Sequence, residues 1–326
     1  MKDKNLELKK ELPIIVLTGP TASGKTSLSL ALASGFRGEI ICADSMTVYK
    51  SMNIGTDKPT LLCHSELDSE SMQKELNSGS ESGMTIQGIP HHLIDILNPD
   101  EEFNVAIFKE LTEKIIKEIH SRGNIPFLVG GSTMYIDALV YGYNIPHAKP
   151  NPGLRKKLEK KSNGELFRQL IELDPDAEWT VDKNNKRRLI RALEVCIQTG
   201  KPFTQQKTKR ALPQNVLYLA IKRDREELYK RINKRVDEMM AEGFLEEVKK
   251  LHKKYDLNTA MQATGYRQLV QYLEGEISLE EAVEKTKQSH RNYAKRQLTW
   301  LNRNKDVIWI REKKEAEGKI SDFFKR

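Results

Sequence analysis

Cysteine is scarce in this chain. The 326 residues hold three, Cys42, Cys63 and Cys196, far apart and in no metal-ligand spacing. That excludes a disulfide-stapled fold and fits a reducing compartment. Aromatic residues are also few, at 7%. No apolar run approaches the 18 residues of a membrane span, and Met1-Lys2-Asp3-Lys4 lacks the apolar stretch of a signal peptide. A cytoplasmic location with no membrane partner is the expectation. The adjacent His91 and His92 have no third ligand nearby, which argues against a metal centre. No acidic residue follows Ile125-Pro126-Phe127-Leu128-Val129 where a motor ATPase needs one.

Charge is plentiful. Charged residues make up 31% of the chain and the net charge is +8. Lys149 to Arg210 holds 16 Lys and Arg against 8 Asp and Glu, so this one segment accounts for the whole excess. Such a segment suits a polyanion, nucleic acid before membrane, although a solvated helical face would look the same.

Gly19-Pro20-Thr21-Ala22-Ser23-Gly24-Lys25-Thr26 reads G-x-x-x-x-G-K-T, the phosphate-cradling loop. An apolar run, Leu12 to Leu17, precedes it, and Ser27 to Ala33 opens a helix behind it. Backbone N–H groups, the helix N-terminus and Lys25 suit a diphosphate or triphosphate, and the Thr26 hydroxyl suits Mg2+. The expected fold is therefore α/β, a P-loop NTPase-like parallel sheet flanked by helices, with a mainly helical inserted domain. Core strands are expected at Glu39–Ala43, Ile125–Val129, Val216–Ile221 and Val307–Ile310. The core should occupy 1–148 and 211–326, with a basic helical insertion at 149–210. Ser65 to Ser82 has six serines and five acidic residues against one lysine. That composition predicts an unstructured insertion of about 61–87.

Asp44 ends the second strand, where open sheets bind ligands, and is read either as a site residue or as a turn cap. Ser132 and Thr133 either contact a ligand or cap a helix. Arg187, Arg188 and Arg191 share a helix face, beside a buried stripe of Leu189, Ile190, Leu193 and Ile197. Gly265 interrupts a helical context, which implies a close backbone approach. Ser278 to Glu281 reads as a capping box. The helix behind it interleaves basic residues, amides and Tyr293, a pattern that suits RNA.

These blocks together resemble a family. The loop Gly19–Thr26, Asp44-Ser45-x-x-Val48-Tyr49, Ile54-Gly55-Thr56-x-Lys58-Pro59, His91-His92-Leu93-Ile94-Asp95, Gly130-Gly131-Ser132, Arg191 to Val195, Gly265-Tyr266-Arg267 and Tyr293 to Trp300 stand in the order of the tRNA isopentenyltransferases. The resemblance implies a transferase moving a dimethylallyl group to N6 of the adenosine 3′ of the anticodon. It places dimethylallyl diphosphate on Gly19–Thr26, with Mg2+ on Thr26 and ATP as another reading of the loop. It makes Asp44 the general base and groups Thr21, Lys25 and Arg235 with it around the diphosphate. It puts Asp44, Ser45, Met46, Thr47, Ser132, Arg155, Arg187, Arg188, Leu189, Ile190, Arg191, Gly265, Tyr266 and Arg267 along the tRNA. A monomer is expected. The sequence departs from the family pattern at Thr47 (often Gln), Ser132 (Thr), Asn185 (Asp) and Thr264 (Ile), and in its long acidic insertion. Two other classes stay open: a transferase acting on free adenine nucleotides, or a small-molecule kinase on the same loop. A non-enzymatic RNA-binding module is a third.

Overall fold

The computed structural model describes residues 12–59, 83–146, 148–206, 210–255 and 260–325. It divides into two compact units. One comprises the chain up to Ile136 and from Leu212 onward; the other is Asp137–Ala211. The division therefore falls at 137, ahead of the boundary expected at 149, and within the helix from Thr133 to Val140.

The first unit carries a seven-stranded sheet. In chain order its strands are β1 (Ile14–Thr18), β2 (Gly38–Cys42), β3 (Gly83–Ile86), β4 (Ile89–His92), β5 (Ile125–Gly130), β6 (Val216–Ile221) and β7 (Ile308–Ile310). Their spatial order is β3-β4-β2-β5-β1-β6-β7, parallel except for the β3–β4 hairpin. Continuous apolar runs form these strands because both faces are covered. β6, for example, is buried along its whole length. Residues 83–87 correct one expectation: the end of the supposed unstructured insertion is a strand and a turn paired with β4. The rest of that insertion, 61–82, with Cys63, lies outside the described residues.

Helix α1 (Lys25–Gly35) follows the phosphate loop and packs Leu32 and Ala33 against Ile15, Leu17, Ile40 and Phe127. Each such large apolar side chain contributes roughly 2 kcal/mol when fully buried. Helix α2 (Val105–Ser121) starts at Asn104, whose side chain accepts from the amides of Ala106 and Ile107. Helix α3 is Thr133–Val140. The crevice at the carboxyl ends of β1, β2 and β5 is thereby lined by three loops, after Thr18, Cys42 and Gly130. Gly130 is required there: a Cβ would lie 2.0 Å from the Ala43 carbonyl oxygen.

The second unit is helical, as expected. It holds α4 (Pro152–Glu159), α5 (Asn163–Leu173), the single turn α6 (Ala177–Thr180) and α7 (Lys186–Thr199). Asn151, Ser162 and Asn185 cap three of these helices, and Gly200 ends α7 in the left-handed region. Leu158, Leu166, Leu170, Leu189, Ala192 and Leu193 form its core.

The first unit is completed by α8 (Arg225–Ala241), α9 (Phe244–Lys254), α10 (Tyr266–Leu273), α11 (Leu279–Asn302) and α12 (Lys313–Phe324). At α11 the Ser278 side chain accepts from the Glu281 amide. The Glu281 carboxylate turns instead to Lys285, so half of the expected box is made.

Candidate active site

The phosphate loop turns from β1 into α1 through Gly24, at φ 92°, where any Cβ would strain the backbone. No side chain caps α1. Its first-turn N–H groups, which have no intrahelical acceptors, are therefore donors for an anion. The Thr21 amide is already used: it donates to Gln297 Oε1 at 2.9 Å, while Gln297 Nε2 donates to the Gly131 carbonyl at 2.8 Å. One buried amide on α11 thus ties the phosphate loop to the loop after β5.

Lys25, Asp44, Arg235 and Asp57 line one cavity of about 800 Å3, together with Thr21, Thr26 and Tyr293. Lys25 Nζ donates to the carbonyls of Gly19 (3.0 Å) and Pro20 (2.8 Å). Burial, and then the Arg235 charge, lower its pKa to about 8 against the opposing pull of Asp44 and Asp57. Arg235 reaches in from α8. Its Nη1 donates to Thr21 Oγ1 at 2.9 Å and its Nη2 lies 3.0 Å from Asp57 Oδ2. Burial lowers its pKa too, and Asp57 and Asp44 oppose that.

Asp44 sits across from these cations. Its Oδ1 accepts from the Met46 amide at 2.8 Å. Burial raises its pKa above the usual carboxylate range; the Met46 amide, Lys25, the Thr47 amide and Arg235 oppose the rise. The two readings of Asp44 are therefore compatible. One oxygen closes a turn, and the carboxylate still shares the cavity with the cations. Chemically, the crevice presents two cations and a helix N-terminus to an anion, with a carboxylate beside them able to accept a proton.

The remaining sequence-derived candidates divide. Ser132 Oγ accepts from the Ser45 amide at 3.1 Å, linking the loops after β2 and β5. Met46 is half-buried. Thr47 is buried, and its hydroxyl makes no hydrogen bond. Thr26, Arg187, Arg188 and Arg267 are exposed. The other six are engaged within the protein. The side chains of Leu189 and Ile190 pack in the core of the helical unit. Gly265 and Tyr266 are buried, Tyr266 against Phe244. Arg191 binds Glu194 Oε2 at 2.8 Å and the Ala148 carbonyl at 3.0 Å. Arg155 joins the same carboxylate through Nε and Nη2, at 2.8 and 2.7 Å, although its side chain is 40% exposed. Ile197, expected in the buried stripe, is 44% exposed.

Residues to which the sequence reading gave no role hold the site together. Glu247 on α9 accepts from the amides of Asn53, Ile54 and Gly55 and from the Tyr266 hydroxyl. Gly55 passes so close to this cluster that a Cβ would lie 2.2 Å from the Phe244 ring. Lys58 is buried, ion-paired to Asp95 and bonded to the Tyr49 carbonyl. Glu247 and Lys58 fix the loop that presents Asp57 to Arg235. Of the histidines, His92 bonds Glu39 at 2.7 Å and His91 the Ile89 carbonyl.

The profile of the IPP transferase family matches residues 47–304. The chain belongs to that family. It is 44% identical over 317 residues to a tRNA dimethylallyltransferase of Acetivibrio thermocellus, covering 94% of each sequence. It is 41% identical to another from Thermomicrobium roseum, covering 93% of this chain and 87% of that one. Among solved structures it resembles the tRNA isopentenylpyrophosphate transferase of Bacillus halodurans, with a TM-score of 0.65, 36% identity and coverage of 96% and 98%. It also resembles a eukaryotic dimethylallyltransferase acting on tRNA, with a TM-score of 0.74, 28% identity and coverage of 92% and 74%. Its architecture is that of the IPP transferases, a P-loop NTPase-like fold.

Proposed function

We propose that this chain transfers the dimethylallyl group of dimethylallyl diphosphate to N6 of adenosine 37 in tRNA, just 3′ of the anticodon. The observation that supports the reading is that Asp44, Lys25 and Arg235 line one cavity at the sheet's carboxyl edge. A prenyl transferase needs cations on the leaving group and a base on the amine.

The exocyclic amine is a weak nucleophile because its lone pair is delocalised into the purine. As N6 bonds to C1 of the dimethylallyl group, the C1–O bond breaks and the electron pair leaves with the diphosphate. The N6 proton passes to the Asp44 carboxylate. Lys25, Arg235 and the amides opening α1 stabilise the charge that accumulates on the leaving oxygen. Thr21 holds Arg235 in place.

Mg2+ fits this site in one way. Among the described residues no three acidic, histidine or cysteine side chains group as metal ligands. The exposed Thr26 hydroxyl would hold the ion, with its remaining ligands coming from the substrate. Bound there, Mg2+ would add positive charge at the diphosphate.

Target bases in anticodon loops are already partly unstacked, so turning one into a pocket costs little. Arg187 and Arg188 on the helical unit and Arg267 on the sheet unit supply exposed charge for the tRNA backbone, and Ser45, Met46, Thr47 and Ser132, on the loops beside Asp44, meet the target nucleotide. Among the described residues no helix is long and apolar enough to cross a membrane, and the enzyme works in the cytoplasm as a monomer. ATP can compete for the phosphate loop.

The deciding experiment incubates the protein with labelled dimethylallyl diphosphate and either bulk tRNA, an anticodon stem-loop or AMP, followed by nucleoside analysis. Label in N6-(dimethylallyl)adenosine from tRNA and stem-loop, with little from AMP, is the expected result. Label on AMP alone would move the enzyme to the free-nucleotide class.

A further inference from the structure

Helices α8 and α11 lie against each other, tied by Arg291 to Asn233 and by Lys287 to Asp237 at 2.8 Å. Between the ties a narrow cleft is lined by Thr21, Ile232, Arg235, Val236, Met239 and His290. Two polar atoms in this region are fully buried and make no hydrogen bond: Arg235 Nε and His290 Nε2. A buried donor or acceptor left unpaired costs about 1–3 kcal/mol. Here a donor and a potential acceptor belong to two residues that line one cleft, on two helices tied by the flanking bonds.

Arg235's two terminal nitrogens are engaged by Thr21 and Asp57. A diphosphate arriving on the loop must draw Nη2 away from Asp57. Besides the Nη1 bond to Thr21, the Nε–H is then the donor left to anchor the guanidinium. Building on the diphosphate reading of this site, we propose that His290 is a positioning residue for Arg235, its imidazole accepting the Nε–H so that both terminal nitrogens turn to the diphosphate. The imidazole is neutral, as an acceptor must be: burial and the Arg235 charge lower its pKa to about 4. With the proton on Nδ1, Nε2 carries the lone pair. His290 touches no reacting atom; it acts through Arg235.

The test uses the full chain with His290→Leu, which removes the acceptor, and His290→Gln, which retains one. Calorimetry measures inorganic diphosphate binding, and a second titration measures the anticodon stem-loop. His290→Leu should weaken diphosphate by roughly 10- to 100-fold, the span of one hydrogen bond to a charged group. His290→Gln should stay within about threefold, and stem-loop affinity should be the same in all three proteins. In turnover the loss should fall mainly on KM for dimethylallyl diphosphate. NMR of the wild-type imidazole should show a neutral ring from pH 5 to about 8 and a shift of its Nε2 resonance on adding diphosphate. The proposal fails if His290→Leu binds diphosphate like wild type, if both variants weaken both ligands alike, or if the ring is protonated at pH 6. Should neither variant fold, the wild-type NMR decides. A wild-type protein that binds diphosphate in this His290-dependent way but prenylates nothing would overturn the proposed reaction and leave this inference standing.

Discussion

Replacing Asp44 with Asn separates its two jobs. The Asn side-chain oxygen can still accept from the Met46 amide, as Asp44 Oδ1 does at 2.8 Å, so the turn after β2 should survive. The shape of the cavity is also kept. What disappears is the basic carboxylate. Burial makes it a stronger base than an exposed one, and Lys25 and Arg235 limit that effect without cancelling it. An amide cannot replace it, so the full general-base contribution should be lost, about 10²–10⁴-fold in rate or roughly 3–5 kcal/mol. Stability should move the other way. Because the folded pKa is raised, the native state binds more protons than the unfolded chain between the two pKa values, and stability falls as pH rises through that window. At neutral pH the ionised Asp44 therefore costs stability, and Asp44→Asn should melt at or above the wild-type temperature. The assay is single-turnover transfer to an anticodon stem-loop at saturating substrate, beside equilibrium binding of each substrate and a melting curve. Turnover within about threefold of wild type would refute the reasoning and leave Asp44 as the turn cap its Met46 bond already makes it.

Lys25→Ala should weaken diphosphate binding and also slow transfer by about 10²–10³-fold, since the charge it faces grows in the transition state; loss of binding alone would place Lys25 outside the chemical step. With a pKa near 8, wild-type Lys25 is charged below that pH and loses its proton above it, so diphosphate affinity should fall as pH rises past about 8, a limit that a pH series of calorimetric titrations reads directly. Arg187→Ala with Arg188→Ala should leave the melting temperature unchanged and reduce the salt slope of tRNA binding by ~1.4–1.8, two phosphate contacts' worth; an unaltered slope would return them to a solvated face. Glu194→Ala should instead destabilise by about 3 kcal/mol, because two arginines lose a buried partner. The Glu194 pKa is held near 2 by Arg155, the Asn151 amide and Arg191, in spite of its burial, so this stability should be present above about pH 4.5 and vanish in wild type as pH falls toward 2.

The sheet was legible because buried parallel strands are apolar runs, and the runs from Glu39, Ile125, Val216 and Val307 all fall on strands. The phosphate loop was legible because its glycines and Lys25 have few other uses at that spacing. The short hairpin at 83–92 was hidden, since the serine-rich composition before it gave no sign of where a strand begins. Among site residues, the sequence separated charge from function poorly. Sixteen basic residues between Lys149 and Arg210 look alike in a count. The structure divides them by partner: Arg155 and Arg191 share Glu194, while Arg187 and Arg188 point outward on the same helix as Arg191. Nothing in the spacing foretold that one carboxylate three residues past Arg191 would be fully buried.

The motif blocks present the same difficulty in another form. Ile54-Gly55-Thr56 and Gly265-Tyr266-Arg267 lie some two hundred positions apart, and each looks like a contact site for a ligand. In the fold they meet at Glu247, which takes three amides from the first and the phenol of the second. Both glycines are required because Phe244 fills the space where either Cβ would go. A residue pattern this constrained arises from packing as readily as from binding. The packing nonetheless serves the chemistry. The loop it fixes carries Asp57, and Asp57 holds Arg235 at the edge of the cavity opposite Asp44. Glu247 thereby bears on Arg235 through two intermediaries, the loop and Asp57, and its neighbours Gly265 and Tyr266 shape the site from inside the protein.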